Sequence, residues 1–429
     1  MGQFNVIDYG AAGDGQTLCT SRLNAAIQAA ETSGGGTVVV PAGRFLTGTL
    51  TLKSHVHLHL EAGAVLLGSD RRDDYESFDV AGEYASGASG FLLQAFDAED
   101  VTISGPGEID QRGRLFMDGW RDTDTQRYIR QPKDWRPRMV GFYGCRRVTF
   151  RDVTLRDAAS WCVHLTGCDD VVITGCRILN DLRIPNCDGI DPDHRTNVRI
   201  SDCHIEAGDD CIVVKATRGG YEQGFRGSHN IVVSNCTCVS TSAAIKIGTE
   251  SHADMTHILV TNCVIRRSSR GLAIQLRDHG NVENVIFSNC TVETRLFSEH
   301  WWGRAEPIYV TSLPRTDETK VGSVRHVRFS NILCRSENGA FIAGCETAAG
   351  KSIDDVVLDN VRLELDRWTK WPGGQHDRRP IKGGEHTGIS DHPTVGVFVE
   401  NADGVQLREV DVVWAQTWRG ARGDGVVQR

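Results

Sequence analysis

Crowded aspartates mark the part of this chain best equipped for chemistry. Residues 186–215 read NCDGIDPDHRTNVRISDCHIEAGDDCIVVK, with Asp188 and Asp191 in one acidic cluster and Asp209 and Asp210 in a second. Carboxylates brought together repel one another, so at least one pKa should rise, leaving a protonated general acid beside an ionised base. Twenty-one positions separate Asp188 from Asp209. On a regular strand Asp209 and Asp210 would point to opposite faces; Gly208 allows an irregular turn from which both could face one groove. Asp191 and Asp193 read more simply as acidic turn residues on a solvated edge.

The elements that would position these groups come from a repeat. One phrase recurs as DVTISG (100–105), RVTFRD (147–152), DVVITG (170–175), NVRISD (197–202), NIVVSN (230–235), HILVTN (257–262), NVIFSN (284–289), HVRFSN (326–331) and DVVLDN (355–360). Its alternation of β-branched and polar residues predicts a strand with one buried face. A second short strand follows in each unit, such as CIVVK, AIKIG or LAIQL. One unit cannot bury its apolar face alone, whereas stacked coils can, so the expected fold is all-β: a single parallel β-helix domain over residues 1–429. The 21-residue spacing is about one coil and would set the two acidic clusters side by side on adjacent rungs. Asn235, Asn262, Asn289 and Asn331 should stack at equivalent turns. Cys176, Cys203, Cys236, Cys263 and Cys290 should stack inside as small apolar groups.

Residues 1–48 differ. In TSRLNAAIQAA the helical spacing of Leu23, Ala26, Ile27 and Ala30 predicts a helix over the open end of the solenoid, capped by Thr20 or Ser21. Coils then occupy 49–429, interrupted by insertions at 72–90, 110–138, 295–320 and 366–395.

Composition sets limits on function. Forty-six glycines against 11 prolines suit many tight turns. A net charge of −9 argues against non-specific nucleic-acid binding, and an anionic substrate would need local cations. No apolar run is long enough for a membrane span. The start MGQFNVIDYG carries no secretory signal, so a cytoplasmic location is expected unless a leader has been removed. Fourteen cysteines without a CxxC argue against zinc and suit a reducing compartment.

The chain resembles glycoside hydrolase family 28, the polygalacturonases and rhamnogalacturonan hydrolases. The likeness runs through FNVIDYGAAGDG, RPRMVGFYGC (136–145), NCDGID (186–191), GDDCIVVK (208–215), IGTES (247–251) and RGLAIQLRDHG (270–280). It implies a right-handed parallel β-helix and hydrolysis of an acidic oligosaccharide or polysaccharide without metal or organic cofactor. The family's NTD motif matches Asn186-Cys187-Asp188 and its GDD motif Gly208-Asp209-Asp210. By that similarity Asp209 would protonate the leaving oxygen, while Asp188 and Asp210 would hold and deprotonate the attacking water, giving inversion.

Two motifs depart from the pattern. The family's GHG falls on Ser242-Ala243-Ala244, and its RIK on Ala273-Ile274-Gln275, so one histidine and two cations are missing. The family's later tyrosine aligns loosely with Tyr309. Because those cations hold the galacturonate carboxylate, plain galacturonan cleavage is not expected and a rhamnogalacturonan-type substrate is favoured. Replacement contacts could come from Lys215, Lys246, Glu250, Gln275 and Arg277, joined by Asn186. In the insertions, Trp301, Trp302 and Arg304 could stack on sugar rings and pair with carboxylates. Large insertions around a groove would wall it off and favour exo-action. Two other classes compete. A lyase or epimerase on the same fold would lose activity to a chelator or release an unsaturated product. A non-catalytic binding solenoid would have no use for three crowded carboxylates.

Overall fold

The structure is a computed structural model and describes residues 2–77, 90–121, 128–298, 301–379, 388–418, 422–423 and 425–428. The chain divides into two compact units, Met1–Gly208 and Asp209–Arg429.

In the first unit, strands pair in parallel with the coil before and the coil after. Arg146–Arg151, Asp169–Thr174 and Thr196–Ser201 stack with Val148, Val171 and Val198 in register, and likewise Phe150, Ile173 and Ile200. A second parallel sheet runs through Phe91–Phe96, Arg138–Tyr143, Val163–Thr166 and Ile190–Asp193. The second unit repeats this plan. Ser228–Ser234, Met255–Thr261, Val282–Thr294, Val324–Ser336, Ile353–Leu365 and Gln406–Trp414 form one sheet. Ile212–Ala216, Ala243–Ser251, Arg270–Leu276, Glu306–Ser312, Ala340–Ala343 and Val397–Glu400 form the other.

The repeated phrase explains the coil. Its second and fourth residues, from Val101 and Ile103 to Val356 and Leu358, are buried in all nine copies. Its first and last residues all have positive φ, from Asp100 (54°) and Gly105 (110°) to Asp355 (53°) and Asn360 (51°). The left-handed region is costly for most L-residues and mildest for Gly, Asn and Asp, which fill most of these places. Two left-handed residues turn the chain at either end of each short strand and so close the coil.

Both ladders are present in the second unit. Asn331 Nδ2 donates to Asn289 Oδ1 at 3.0 Å and Asn360 Nδ2 to Asn331 Oδ1 at 2.8 Å. Cys236, Cys263 and Cys290 are buried, and each thiol donates to the carbonyl two residues earlier at 3.2–3.3 Å.

The helix forms over Thr20–Thr32 and buries Leu23, Ala26, Ile27 and Ala30. Its cap differs from expectation. Cys19 occupies the N-cap without a side-chain cap bond, because the Thr20 hydroxyl instead accepts from the Gly48 N–H at 2.7 Å. Among the described residues, no helix is long and apolar enough to cross a membrane.

Candidate active site

The two acidic motifs fall in different units and are built differently. In the first unit, the segment Asn186–Asp188 is fixed by its surroundings. Asn186 adopts a positive φ of 55°, and its Oδ1 accepts from an Arg136 NH2 at 3.0 Å. Arg136 is fully enclosed and also donates to the carbonyls of Ala159 (2.9 Å) and Pro185 (2.6 Å). Burial brings the pKa of this guanidinium down to about 10. The Cys187 thiol donates to the Ala158 carbonyl at 3.0 Å. The Asp188 carbonyl accepts from the Cys162 N–H at 3.1 Å and from Asn180 Nδ2 at 3.3 Å. Asn186 therefore has a structural task in setting the Asp188 backbone.

Asp191 and Asp193 are not on a solvated edge. Both are 0% exposed, on the strand Ile190–Asp193. The Asp193 carboxylate faces His164 Nε2 at 3.0 Å, and Arg138 donates to His164 Nδ1 at 2.8 Å. Since the guanidinium can only donate, Nδ1 must accept, which leaves the imidazole proton on Nε2, toward Asp193. Burial lowers the His164 pKa to about 4, with the neighbouring Asp193 only partly opposing it. Arg138 stacks over Trp161 at 4.1 Å. Gly208 serves close approach: a Cβ there would lie 2.3 Å from the Ile184 carbonyl oxygen.

In the second unit Asp209 is 5% and Asp210 1% exposed. The Ser240 hydroxyl donates to the Asp209 carbonyl at 2.5 Å and accepts from the Ser242 N–H at 2.8 Å. Asp210 uses both oxygens: Oδ1 accepts the Ala243 N–H at 2.9 Å, and Oδ2 is ion-paired with Lys246 Nζ. Ala243 is the position where the family places its histidine. Lys215 and Glu250 pair at 3.1 Å, both buried. Burial alone would raise the Glu250 pKa, but Lys215, Arg315 and Lys246 outweigh it and bring the carboxyl down to about 2.

The remaining candidates gather around residues 375–379 rather than along an open rim. Asp377 accepts from Arg270 NH2 (3.1 Å), Arg379 Nε (2.8 Å) and the Gly303 N–H (2.9 Å). The Tyr309 hydroxyl donates to the Asp377 carbonyl at 2.6 Å, and Arg270 lies 3.9 Å above the Tyr309 ring. Gln275 Nε2 donates to the Arg379 carbonyl at 2.5 Å, and Arg277 to the Arg378 carbonyl at 2.9 Å. Arg304 donates to Gln375 Oε1 at 3.0 Å, and the Trp301 carbonyl accepts from Arg379 at 2.6 Å. Trp302 lies 5.0 Å under Arg379. Tyr309 and Arg277 are 0% exposed, and Gln275, Arg304 and Trp301 are nearly so. The sequence placed these side chains toward a sugar. Their contacts instead fasten onto the sheet residues 375–379, whose crossing backbone carbonyls must be satisfied. Ala273, at the first position of the altered RIK, lies in an apolar cluster with Tyr309, Phe341 and Phe398. His300, the 78–89 and 122–127 parts of two insertions, and 380–387 lie outside the described residues.

Sequence reasoning missed Arg270 and Asp377, the centre of this clamp. Arg270 stands inside RGLAIQL, but its partner is 107 residues away and has no motif. Arg136 and His164 were missed for the same reason.

A family model described as Glycosyl hydrolases family 28 matches residues 33–364. A "Probable polygalacturonase" of Vitis vinifera is 33% identical over 258 residues, 57% of this chain and 51% of that protein. The "Exo-poly-alpha-D-galacturonosidase" of Dickeya chrysanthemi is 27% identical over 300 residues, 59% of this chain and 48% of that protein. The chain thus spans about half the length of the curated relatives it matches. Among solved structures, a hyperthermoactive exopolygalacturonase from Thermotoga maritima superposes with a TM-score of 0.74. The match covers 96% of this chain and 92% of that one at 22% identity, a likeness of fold. It identifies the parallel coils as a right-handed β-helix.

Proposed function

With the chain belonging to family 28 of the glycosyl hydrolases, we propose that it hydrolyses a glycosidic bond in a pectic oligosaccharide or polysaccharide by inversion. Asp209 acts as general acid; Asp188 and Asp210 hold and deprotonate the water. The observation that carries this reading is the burial of all three carboxylates inside the family-matched range. Burying acids costs stability unless they are paired or hydrogen-bonded, and perturbed acids concentrate at functional sites. The backbone frame around Asp188 and the two-point hold on Asp210 supply the fixed geometry that acid–base catalysis needs.

Action at chain ends is the finer reading. It is supported by the segment 375–379 lying across the outer face of the second unit's sheet, and by the exo-activity for which the Dickeya relative is named. A substrate other than plain galacturonan, with rhamnogalacturonan-type units first, is supported by the absence of cations at Ala273 and Gln275 and by the burial of Arg277. A galacturonate carboxylate desolvated without a cation costs several kcal/mol by order of magnitude, so such a groove should discriminate against it.

The test is a product profile on polygalacturonan, oligogalacturonates and rhamnogalacturonan oligosaccharides, with the anomer of the fresh product read by NMR. Release of short products from chain ends, inverted at the anomeric carbon and fastest on the rhamnose-containing series, is expected. Asp209→Asn should lower turnover at least ~10²-fold. Polygalacturonan degraded as fast as any other substrate would sink the specificity argument; an unsaturated, ultraviolet-absorbing product would turn the reading to a lyase.

A further inference from the structure

Beside Asp210, the second unit buries three further charged side chains that the proposed chemistry has not used. Asp210 pairs with Lys246, and Glu250 pairs with Lys215 at 3.1 Å. Lys246 and Glu250 both lie on the strand Ala243–Ser251. The Lys246 charge also acts on Glu250, which links the two pairs. All four side chains are at most 9% exposed. The aligned family pattern has a histidine nearby, and this chain has Ser242-Ala243-Ala244.

We infer that Lys246 is the positioning residue for Asp210: its ammonium fixes one carboxylate oxygen while the Ala243 N–H fixes the other. This rests on the reading in which Asp210 deprotonates the attacking water, and it makes Lys246 a support of the base rather than a grip on the sugar. One of the three ammonium donors is thereby committed to Asp210. Geometry favours the support role further. With both Asp210 oxygens anchored, the carboxylate cannot rotate, and its remaining lone pairs keep one direction toward water. A cation in contact also favours the charged form of a buried acid, the state a base must have. The charged groups facing Asp210 within its unit are Asp209 beside it, Lys246 and Glu250 from Ala243–Ser251, and Arg270 from the strand Arg270–Leu276. Lys246 is the cation in direct contact with Asp210.

The pH profile of kcat/KM on a pectic oligosaccharide tests this in the full chain. Lys246→Met should move the acid limb upward by about one pH unit or more, the usual effect of an opposite charge in contact. It should lower kcat while leaving KM within a few-fold, and Lys246→Arg should restore the limb. An unmoved limb, or a change confined to KM, would overturn the inference and make Lys246 a substrate contact. A substrate-free readout runs beside it. Lys246→Met should lower the melting temperature in the native background and have little effect in Asp210→Asn; equal losses in both would show that the pair is not coupled. If Asp210→Asn kept native activity, the hydrolytic reading of Asp210 would fall, while the melting cycle would still report on the pair.

Discussion

At the residue scale, similar side chains have been given different tasks by their surroundings. Asp210 is held by a backbone N–H and an ammonium, Asp193 by a neutral histidine, and Asp377 by two guanidiniums. His164 shows how such an environment can be tested. Its folded pKa of about 4 lies below the ordinary value of 6.5, so between those values the unfolded chain binds a proton that the folded chain does not. Stability must therefore fall as pH drops through that window, by on the order of 3 kcal/mol for the full interval. His164→Gln should be less stable near neutrality but lose less on acidification from pH 6.5 to 4. Melting curves across that range check it, and parallel pH slopes for the two proteins would rule out His164 as the source.

At the element scale, the 366–395 insertion is attached to the strand face by charge rather than by pairing into the sheet. Asp377 is wholly buried; burial opposes its ionisation, yet Arg270, Arg379 and Arg304 hold its pKa well below the usual range. Breaking one side of a buried ion pair leaves uncompensated charge at a cost of about 3–5 kcal/mol. Asp377→Asn should therefore lower the melting temperature and speed limited proteolysis within 366–395, with Tyr309 becoming accessible to solvent. Unchanged proteolysis would mean that the contacts of Gln275, Arg277 and Tyr309 with the segment backbone suffice without the charge.

At the scale of the whole molecule, the solenoid has an interior whose chemistry repeats with the coil. The ladder thiols are buried, and their mutual hydrogen bonding raises the pKa of Cys263 and Cys290, with burial adding to it. Labelling requires a thiolate that can reach and attack the reagent. Cys236 and Cys263 should thus stay unlabelled in the folded protein and react fully after unfolding, as mass spectrometry of labelled peptides would read. Rapid labelling under native conditions would contradict a closed interior.

The sequence by itself determined whatever is periodic or local. The nine phrases predicted the strands and which of their residues are buried, and the spacing of Leu23, Ala26, Ile27 and Ala30 predicted the helix face. The acidic motifs and their family likeness could be read because they are short and contiguous. Tertiary structure decided what depends on partners far apart in the chain. Alternation along a strand shows that Gln275, Arg277 and Tyr309 leave the interior, but not that a segment about 100 residues later lies across them. Their place in an acidic turn suggested a solvated edge for Asp191 and Asp193; stacking of adjacent coils put His164 against Asp193 and buried both. The sequence offered Lys246 as a replacement sugar contact, and only the fold showed its charge to be paired with Asp210. The physical reason is the same in each case: periodicity fixes which way a side chain points, and burial and charge are fixed by what arrives opposite it.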